Sequence, residues 1–286
     1  MKKILITGKN SYVGTKFMEW VSQWPDEYRA DAISVRGEEW KQLDFSGYDT
    51  VLHVAGIAHV KETKENRDLY YKINRDLAYE VATKSKEAGI PHFIFLSSMS
   101  IYGLETGVID KDTVPKPKNS YGKSKYEAEQ LIKGLENERF KVAIVRPPMI
   151  YGPNCPGNYA RLSKLAKITP FFPKIDNKRS MIFVDNLSII LTQIIDTAKS
   201  DNYMPDNIKL SSALQIVSLI AKANGKSINS VSIFNNILIK TNLKPFNSLF
   251  KDLYYEFDTT NYEEKDLIDL NKSILITELG KHRGEI

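Results

Sequence analysis

The sequence predicts an α/β protein: a doubly wound parallel sheet with a smaller part appended toward the C-terminus. Three observations carry this expectation. Short apolar runs alternate with helix-length amphipathic stretches through the first half of the chain. A glycine-bearing turn, Thr7-Gly8-Lys9-Asn10-Ser11-Tyr12-Val13-Gly14, joins the first apolar run to the first helical stretch. Polar motifs recur at the carboxyl ends of the apolar runs, the edge at which such sheets bind ligands.

Each element has its own signal. Lys3-Ile4-Leu5-Ile6 reads as a strand buried on both faces, extending to Thr7. A helix is expected over Lys16–Gln23, then strands over Ala32–Arg36 and Thr50–His53. One long helix is expected from Arg67 to Ala88, followed by a strand His92–Ser97, a helix Tyr121–Asn137 and a strand Lys141–Arg146. Met181–Val184 resembles one more strand, leading into a helix Asn186–Ala198. Strands separated by helical crossovers require a parallel sheet, which makes the expected fold Rossmann-like.

Bulk properties narrow the function. With 286 residues the chain buries a full core, and its 40 basic and 35 acidic residues leave a net charge of only +5, with both signs interspersed. That balance argues against nucleic-acid binding while allowing a basic pocket for an anionic substrate. The single cysteine, Cys155, forms no internal disulfide and suits a reducing, cytoplasmic setting. No signal peptide is expected, and no stretch approaches the ~18 uninterrupted apolar residues of a membrane span. Asn229–Phe257 is lysine-dotted and amphipathic, and is expected to pack as a helix-rich lid rather than dock on a membrane.

The chemistry is carried by Tyr121 and Lys125, in Tyr121-Gly122-Lys123-Ser124-Lys125, downstream of a run ending in Ser97-Ser98. Four residues apart on a helix, Tyr121 and Lys125 share one face. An ammonium near a phenol favours the phenolate, so Lys125 is expected to lower a pKa that is ordinarily near 10. Tyr121 then exchanges a proton with a carbonyl or hydroxyl near neutral pH. In the glycine turn, Gly8 permits the tight bend and Gly14 close helix packing, and the helix N-terminus holds a pyrophosphate, with Ser11 where the middle glycine is usual.

With these motifs in place, the sequence resembles an extended short-chain dehydrogenase/reductase of the nucleotide-sugar epimerase/dehydratase/ketoreductase group. The resemblance rests on Thr7 to Gly14, Leu43-Asp44-Phe45, His53-Val54-Ala55-Gly56, Ser97 to Gly103, Tyr121 to Lys125 and Val145 to Pro153. A weaker match continues through Gly157-Asn158 and Arg179 to Asn186 and thins beyond about residue 210. It implies a dinucleotide-binding domain, 1–153 with 178–202, and a substrate-binding domain, 154–177 with 203–286. It implies Ser98, Tyr121 and Lys125 as catalytic residues, with Ser98 holding the reacting oxygen and Lys125 also bonding the nicotinamide ribose. Cofactor contacts are expected from Gly8, Ser11, Tyr12, Val13, Gly14, Arg36, Asp44, Ala55, Gly56, Tyr121, Lys125 and Pro147. The resemblance also implies a homodimer formed by the helices Arg67–Ala88 and Tyr121–Asn137.

The end of the second strand reads the adenosine ribose. Arg36 stands there in place of an acidic residue, so NADP(H) is expected, with NAD(H) the alternative. Glu38 and Glu39 are the carboxylates able to offset Arg36. Within the resembled group, Met99 and Ser100 after Ser98 disfavour 4,6-dehydration, which uses an acidic pair there. A serine at position 100 also disfavours inversion at C3 and C5, which needs a further acid–base residue. Two reactions remain: 4-ketoreduction and 4-epimerisation. The stretch from Val142 to Asn186 resembles bacterial capsule and O-antigen 4-ketoreductases acting on UDP-2-acetamido-2,6-dideoxy-4-hexuloses, with Met149 replacing an asparagine of many epimerases. Substrate contacts are expected from Ser98, Ser100, Asn158 and Arg179. A non-catalytic NADP-binding sensor is the reading from another class.

Overall fold

The computed structural model describes residues 1–58, 60, 62–232, 249–256 and 261–280. Its centre is a six-stranded sheet in which every pairing is parallel. The strands are β1 (Lys2–Thr7), β2 (Tyr28–Ile33), β3 (Thr50–His53), β4 (His92–Leu96), β6 (Lys141–Val145) and β10 (Asp201–Tyr203), ordered β2-β1-β3-β4-β6-β10. The inner strands are mainly apolar because alternate side chains are covered on both faces of the sheet. Ile4, Ile6, Leu52, Ile94 and Val145 face one layer, with Phe17 of α1 (Tyr12–Val21) and Leu187 of α6 (Val184–Thr197). Leu5, Val51, Phe93, Phe95 and Ile144 face the other, with Val81 of α3 (Leu77–Glu87) and Ile132 of α4 (Ser120–Lys133).

Strand order reverses between β1 and β3. The chain runs outward from β1 to β2, then crosses back to β3 and continues the opposite way. The two connections leave a crevice above the carboxyl ends of β1 and β3, the usual ligand position in an open α/β sheet.

Four boundaries differ from expectation. β2 lies earlier, over Tyr28–Ile33, because Lys2 to Thr7 pair with Tyr28 to Ile33 in register. It is an edge strand and half-exposed, so it mixes Arg29 and Asp31 with alanines and lacks the continuous apolar run. Helix α1 begins at Tyr12, not Lys16, because the Ser11 side chain caps it. The helix expected from Arg67 to Ala88 is divided: α2 (Arg67–Tyr71) and α3 flank a single π-helical turn, Lys72–Asp76. Helix α4 stops at Lys133, with Gly134 as its cap.

A second apolar cluster lies beside the sheet. β7 (Met149–Tyr151) pairs with β9 (Met181–Phe183), and Tyr151, Phe183, Phe172 and Ile216 gather there. Helices α5 (Asn158–Ile168), α7 (Ala213–Ala223) and α8 (Leu270–Leu279) close over it. The remaining strands are β5 (Gly107–Ile109), paired with β12 (Leu253–Tyr255), and β8 (Phe171–Pro173), paired with β11 (Asn229–Val231). Of the amphipathic stretch Asn229–Phe257, residues 233–248 and 257 lie outside the described residues, and its described ends contain β11 and β12. Among the described residues no helix is long and apolar enough to cross a membrane.

Candidate active site

The β1–α1 turn lies hard against the backbone that follows β3. Gly8 has φ +120°, and a Cβ there would sit 2.8 Å from the Ala55 nitrogen, so no other residue fits without displacing that backbone. Ser11 Oγ accepts the Gly14 N–H at 3.0 Å, so the residue replacing the middle glycine serves as helix cap. Gly14 is held between that hydroxyl and Val54, 2.7 and 3.1 Å from a notional Cβ. Val13 is buried in the core. The Tyr12 hydroxyl is buried and lies 2.6 Å from where a Cβ of Gly152 would stand.

These backbones floor a cleft of about 1390 Å³, lined by Gly8, Ser11, Ala55, Gly56 and Arg36 among others. Arg36 is exposed in its wall, beyond the end of β2. Glu38, one carboxylate expected to offset it, is instead held by Lys41 at 2.7 Å. Asp44 is not among the residues that line the cleft, and it accepts the Ser46 N–H and hydroxyl, both at 2.8 Å. That pairing holds its carboxyl below the usual range.

Ser98, Tyr121 and Lys125 converge where β4 and α4 meet. Ser98 follows β4 and caps a short 3-10 turn, Met99–Tyr102, its Oγ accepting the Ser100 N–H at 3.1 Å. The Ser98 hydroxyl also donates to Ser100 Oγ at 3.2 Å and is in hydrogen-bond contact with Tyr121. Asn119 Oδ1 caps α4 through the Gly122 N–H at 2.8 Å. A Cβ at Gly122 would lie 2.6 Å from the Ser100 carbonyl, so this glycine lets α4 press against the Ser98 turn. Lys125 is buried, and its ammonium donates to the Leu96 carbonyl at 2.8 Å and lies 4.6 Å from the Phe95 ring centre. A Cβ at Gly56 would be 3.3 Å from Lys125 Nζ, which joins the triad to the cleft.

The charge balance at Tyr121 departs from the expectation. Burial pushes the phenol above its ordinary value, the Ser98 hydrogen bond being the opposing influence. Lys125 is directed at a carbonyl, and burial brings its own ammonium down to about 8. Pro147 closes this corner: its carbonyl accepts the Met99 N–H at 2.9 Å.

Of the residues expected to meet substrate, Ser100 is exposed beside Ser98 and Asn158 opens α5 directly after Gly157. Arg179 donates to the Lys251 carbonyl at 3.0 Å, and burial lowers its guanidinium to about 10 against the pull of Asp252. Cys155 is buried, which raises its thiol.

Three supports escaped the sequence reading. Asn74, wholly buried in the π-helical turn, accepts the Ile57 N–H at 2.8 Å and donates to the Ile57 carbonyl at 3.1 Å and Ser124 at 3.3 Å. Its Oδ1 would stand 2.9 Å from a Cβ on Gly56, so it lies beside Lys125 at the mouth of the triad. Glu62 accepts the Ser120 N–H and hydroxyl at 3.0 and 2.8 Å, tying the segment before α2 to the start of α4. Arg146 makes a two-point pair with buried Glu129, at 3.1 and 2.7 Å, and donates to the Tyr102 hydroxyl at 3.0 Å. This pair fixes the far end of the Ser98 turn. Arg146-Pro147 after a strand is the one local signal among these; the π-turn and the Glu62 contact leave none.

The chain is similar to known proteins over this same region. The profile of the NAD dependent epimerase/dehydratase family matches residues 4–202. A UDP-glucose 4-epimerase of Vibrio cholerae is 29% identical over 225 residues, 70% of this chain and 69% of that protein. The N-acetyl-α-D-glucosaminyl-diphospho-ditrans,octacis-undecaprenol 4-epimerase of Escherichia coli O157:H7 is 26% identical over 201 residues, 64% of this chain and 60% of that protein. Among solved structures, a dTDP-4-dehydrorhamnose reductase of Bacillus anthracis in complex with NADP superposes with a TM-score of 0.72 at 21% identity, covering 99% of this chain and 100% of that one. A UDP-glucuronic acid 4-epimerase of Bacillus cereus in complex with NAD gives 0.72 at 18% identity, covering 96% and 97%. These structural likenesses speak to the fold, and the profile match speaks to kinship: the chain belongs to the NAD dependent epimerase/dehydratase family.

Proposed function

We propose that the protein is an NADP-linked 4-ketoreductase of a UDP-sugar, acting on a 2-acetamido-2,6-dideoxy-4-hexulose. The observation that carries this reading is the convergence of Ser98, Tyr121 and Lys125 beside the cleft floored by Gly8 and Gly56. The glycine-floored turn and the capped N-terminus of α1 suit a pyrophosphate. Arg36, exposed in the cleft wall with Glu38 engaged elsewhere, suits a 2′-phosphate. When bound, the reduced dinucleotide supplies hydride to the sugar carbonyl.

The chain's own residues hold the substrate and move the proton. Ser98 orients the keto oxygen through its hydroxyl, and Tyr121 delivers its phenolic proton to that oxygen. A phenol raised by burial holds its proton at neutral pH, which suits a donor in reduction. Lys125, drawn down to about 8, still carries its charge there and favours the phenolate left behind. Ser100, Asn158 and Arg179 complete the proposed substrate side, and Asn74 and Pro147 support its position. The proposed division is 1–153 with 178–202 for dinucleotide and 154–177 with 203–286 for substrate. Leu69 of α2 and Leu131 of α4 are both exposed and favour a homodimer across those helices. A cytoplasmic setting suits the lone thiol.

A second reading is favoured by the Vibrio cholerae relative, a UDP-glucose 4-epimerase. The same triad would then oxidise and re-reduce C4, with NAD retained. Incubation with NADPH and a UDP-4-keto-6-deoxy-N-acetylhexosamine separates the two. Stoichiometric NADPH oxidation, with NADH poorer and Arg36→Ala erasing the preference, supports reduction. Interconversion of UDP-glucose and UDP-galactose without net oxidation establishes the epimerase. Dinucleotide binding with neither reaction establishes a sensor.

A further inference from the structure

Tyr121 stands in the first turn of α4, the part of a helix whose backbone N–H groups have no partner within the helix itself. Asn119 accepts one of them, that of Gly122, at 2.8 Å. The N–H of Ser120, the residue directly before Tyr121, needs an acceptor from elsewhere in the fold. Glu62 supplies it. One carboxylate oxygen accepts the Ser120 N–H at 3.0 Å and the other accepts the Ser120 hydroxyl at 2.8 Å. The first turn of α4 contains no acidic residue of its own, so Glu62 brings a carboxylate to the positive end of the helix.

Glu62 is itself held. Arg67 lies 3.5 Å from the oxygen that accepts the Ser120 hydroxyl. The two Ser120 bonds, with Arg67 and Lys123 nearby, hold the Glu62 carboxyl below its usual range. The segment carrying Glu62 runs between β3 and α2 and is fastened at several points. Asn74 Oδ1 accepts the Ile57 N–H at 2.8 Å, the Tyr70 hydroxyl donates to the Val60 carbonyl at 2.6 Å, and Asn66 Oδ1 accepts the Thr63 N–H at 2.8 Å. The Tyr70 ring, fixed in this way, meets the Tyr121 ring edge-on with centres 6.4 Å apart.

We propose that Glu62 is a positioning residue for Tyr121: by holding Ser120 it fixes the first turn of α4 and so the placement of the phenol against Ser98. Ser98 acts on the hydroxyl of Tyr121, Tyr70 on its ring, and Glu62 on the backbone from which it springs. A tyrosine in an unanchored first turn would share the freedom of that turn, and reacting geometry tolerates little displacement. The inference rests on the reading of Tyr121 as the proton donor and depends on no particular sugar.

The local backbone permits a clean test. Ser120 is the first residue of α4, where proline is tolerated, and Asn119 has the extended backbone (φ −115°, ψ 166°) that a following proline requires. Ser120→Pro therefore removes both bonds to Glu62 without breaking the helix, and Glu62→Ala removes them from the other partner. Each should lower kcat at least about tenfold, with KM and NADPH affinity within about threefold of wild type. Glu62→Gln keeps an oxygen for the N–H and gains an amide for the hydroxyl, and should recover most of the rate. The double variant Glu62→Ala with Ser120→Pro should be no slower than either single variant, because both remove one contact. With isotope-labelled tyrosine rings, the Tyr121 resonance, identified by its loss in Tyr121→Phe, should move in both single variants and return in Glu62→Gln. An unmoved resonance with wild-type kcat in Ser120→Pro and Glu62→Ala overturns the proposal, as does a double variant whose loss is the product of the single losses. Should either variant melt well below wild type, Ser120→Ala removes the hydroxyl bond alone and should still move the resonance; an unmoved resonance there overturns the proposal too. If wild type reduces no keto sugar, the ketoreductase reading fails and the resonances alone decide the role of Glu62.

Discussion

The Lys125 ammonium donates a 2.8 Å hydrogen bond to the carbonyl of Leu96, the last residue of β4. A buried cation is thereby anchored to the sheet edge where Ser98 emerges. Its position is set by the backbone, and its pKa falls to about 8 because it is out of water, with Glu129 opposing.

Burying that charge carries a stability cost, which gives the first prediction. The folded-state pKa lies below the unfolded value of 10.5, so the unfolded chain binds more protons between pH 8 and 10.5. Stability from this group therefore rises with pH through that window and is lowest below it. Lys125→Met should melt no lower than wild type at pH 7 and should lose the rise above pH 8. Activity should fall at least about 100-fold. Thermal melts across pH 6–10, set beside turnover, check both parts.

Gly122 tests whether the triad depends on close contact between α4 and the Ser98 turn. A Cβ there meets the Ser100 carbonyl at 2.6 Å, and that atom is backbone and cannot swing aside. Gly122→Ala should leave dinucleotide affinity within about threefold while lowering kcat at least about tenfold, since displacements near 1 Å are costly to reacting geometry. Calorimetric binding and steady-state kinetics on the same sample make the comparison.

A buried carboxyl governs stability near neutrality. Asp206 accepts the N–H groups of Met181 and Asn207 at 3.0 and 2.8 Å, yet burial raises it from 3.8 to about 8. The folded chain therefore holds an extra proton between about pH 4 and 8, and stability falls as pH rises through that range. Buried His53 and His92 act oppositely: lowered to about 3 and about 4, they draw protons to the unfolded chain below pH 6.5. The melting temperature should peak near pH 6.5. Asp206→Asn, which keeps an acceptor for both N–H groups, should remove at least half of the decline between pH 6.5 and 8.

What was legible in the sequence follows burial. β3 and β4 are buried at every position, so their apolar runs were read within one residue of their ends. β2 was misplaced because it is an edge strand, half in water, whose Arg29 and Asp31 break the pattern. Ser98, Tyr121 and Lys125 were visible because local spacing alone puts them at a strand end and on one helix face. Asn74 was hidden because a π-turn leaves no mark on helical periodicity, and a polar residue in a helix reads as solvated. Glu62 contacts Ser120 across the fold, and Glu129 meets Arg146 from another element, so neither pairing has a local signature. The direction of the Tyr121 shift was missed for a related reason: spacing placed Lys125 near it, but only the fold shows the ammonium bound to Leu96.

The central claim is that Tyr121 delivers the proton in reduction of a 4-keto sugar. Its most direct test is single-turnover NADPH oxidation with a UDP-4-keto-6-deoxy-N-acetylhexosamine, comparing wild type with Tyr121→Phe. The account predicts a hydride-transfer rate lower by at least about 100-fold in the variant, with NADPH affinity unchanged. A variant that oxidises NADPH as fast as wild type would contradict it.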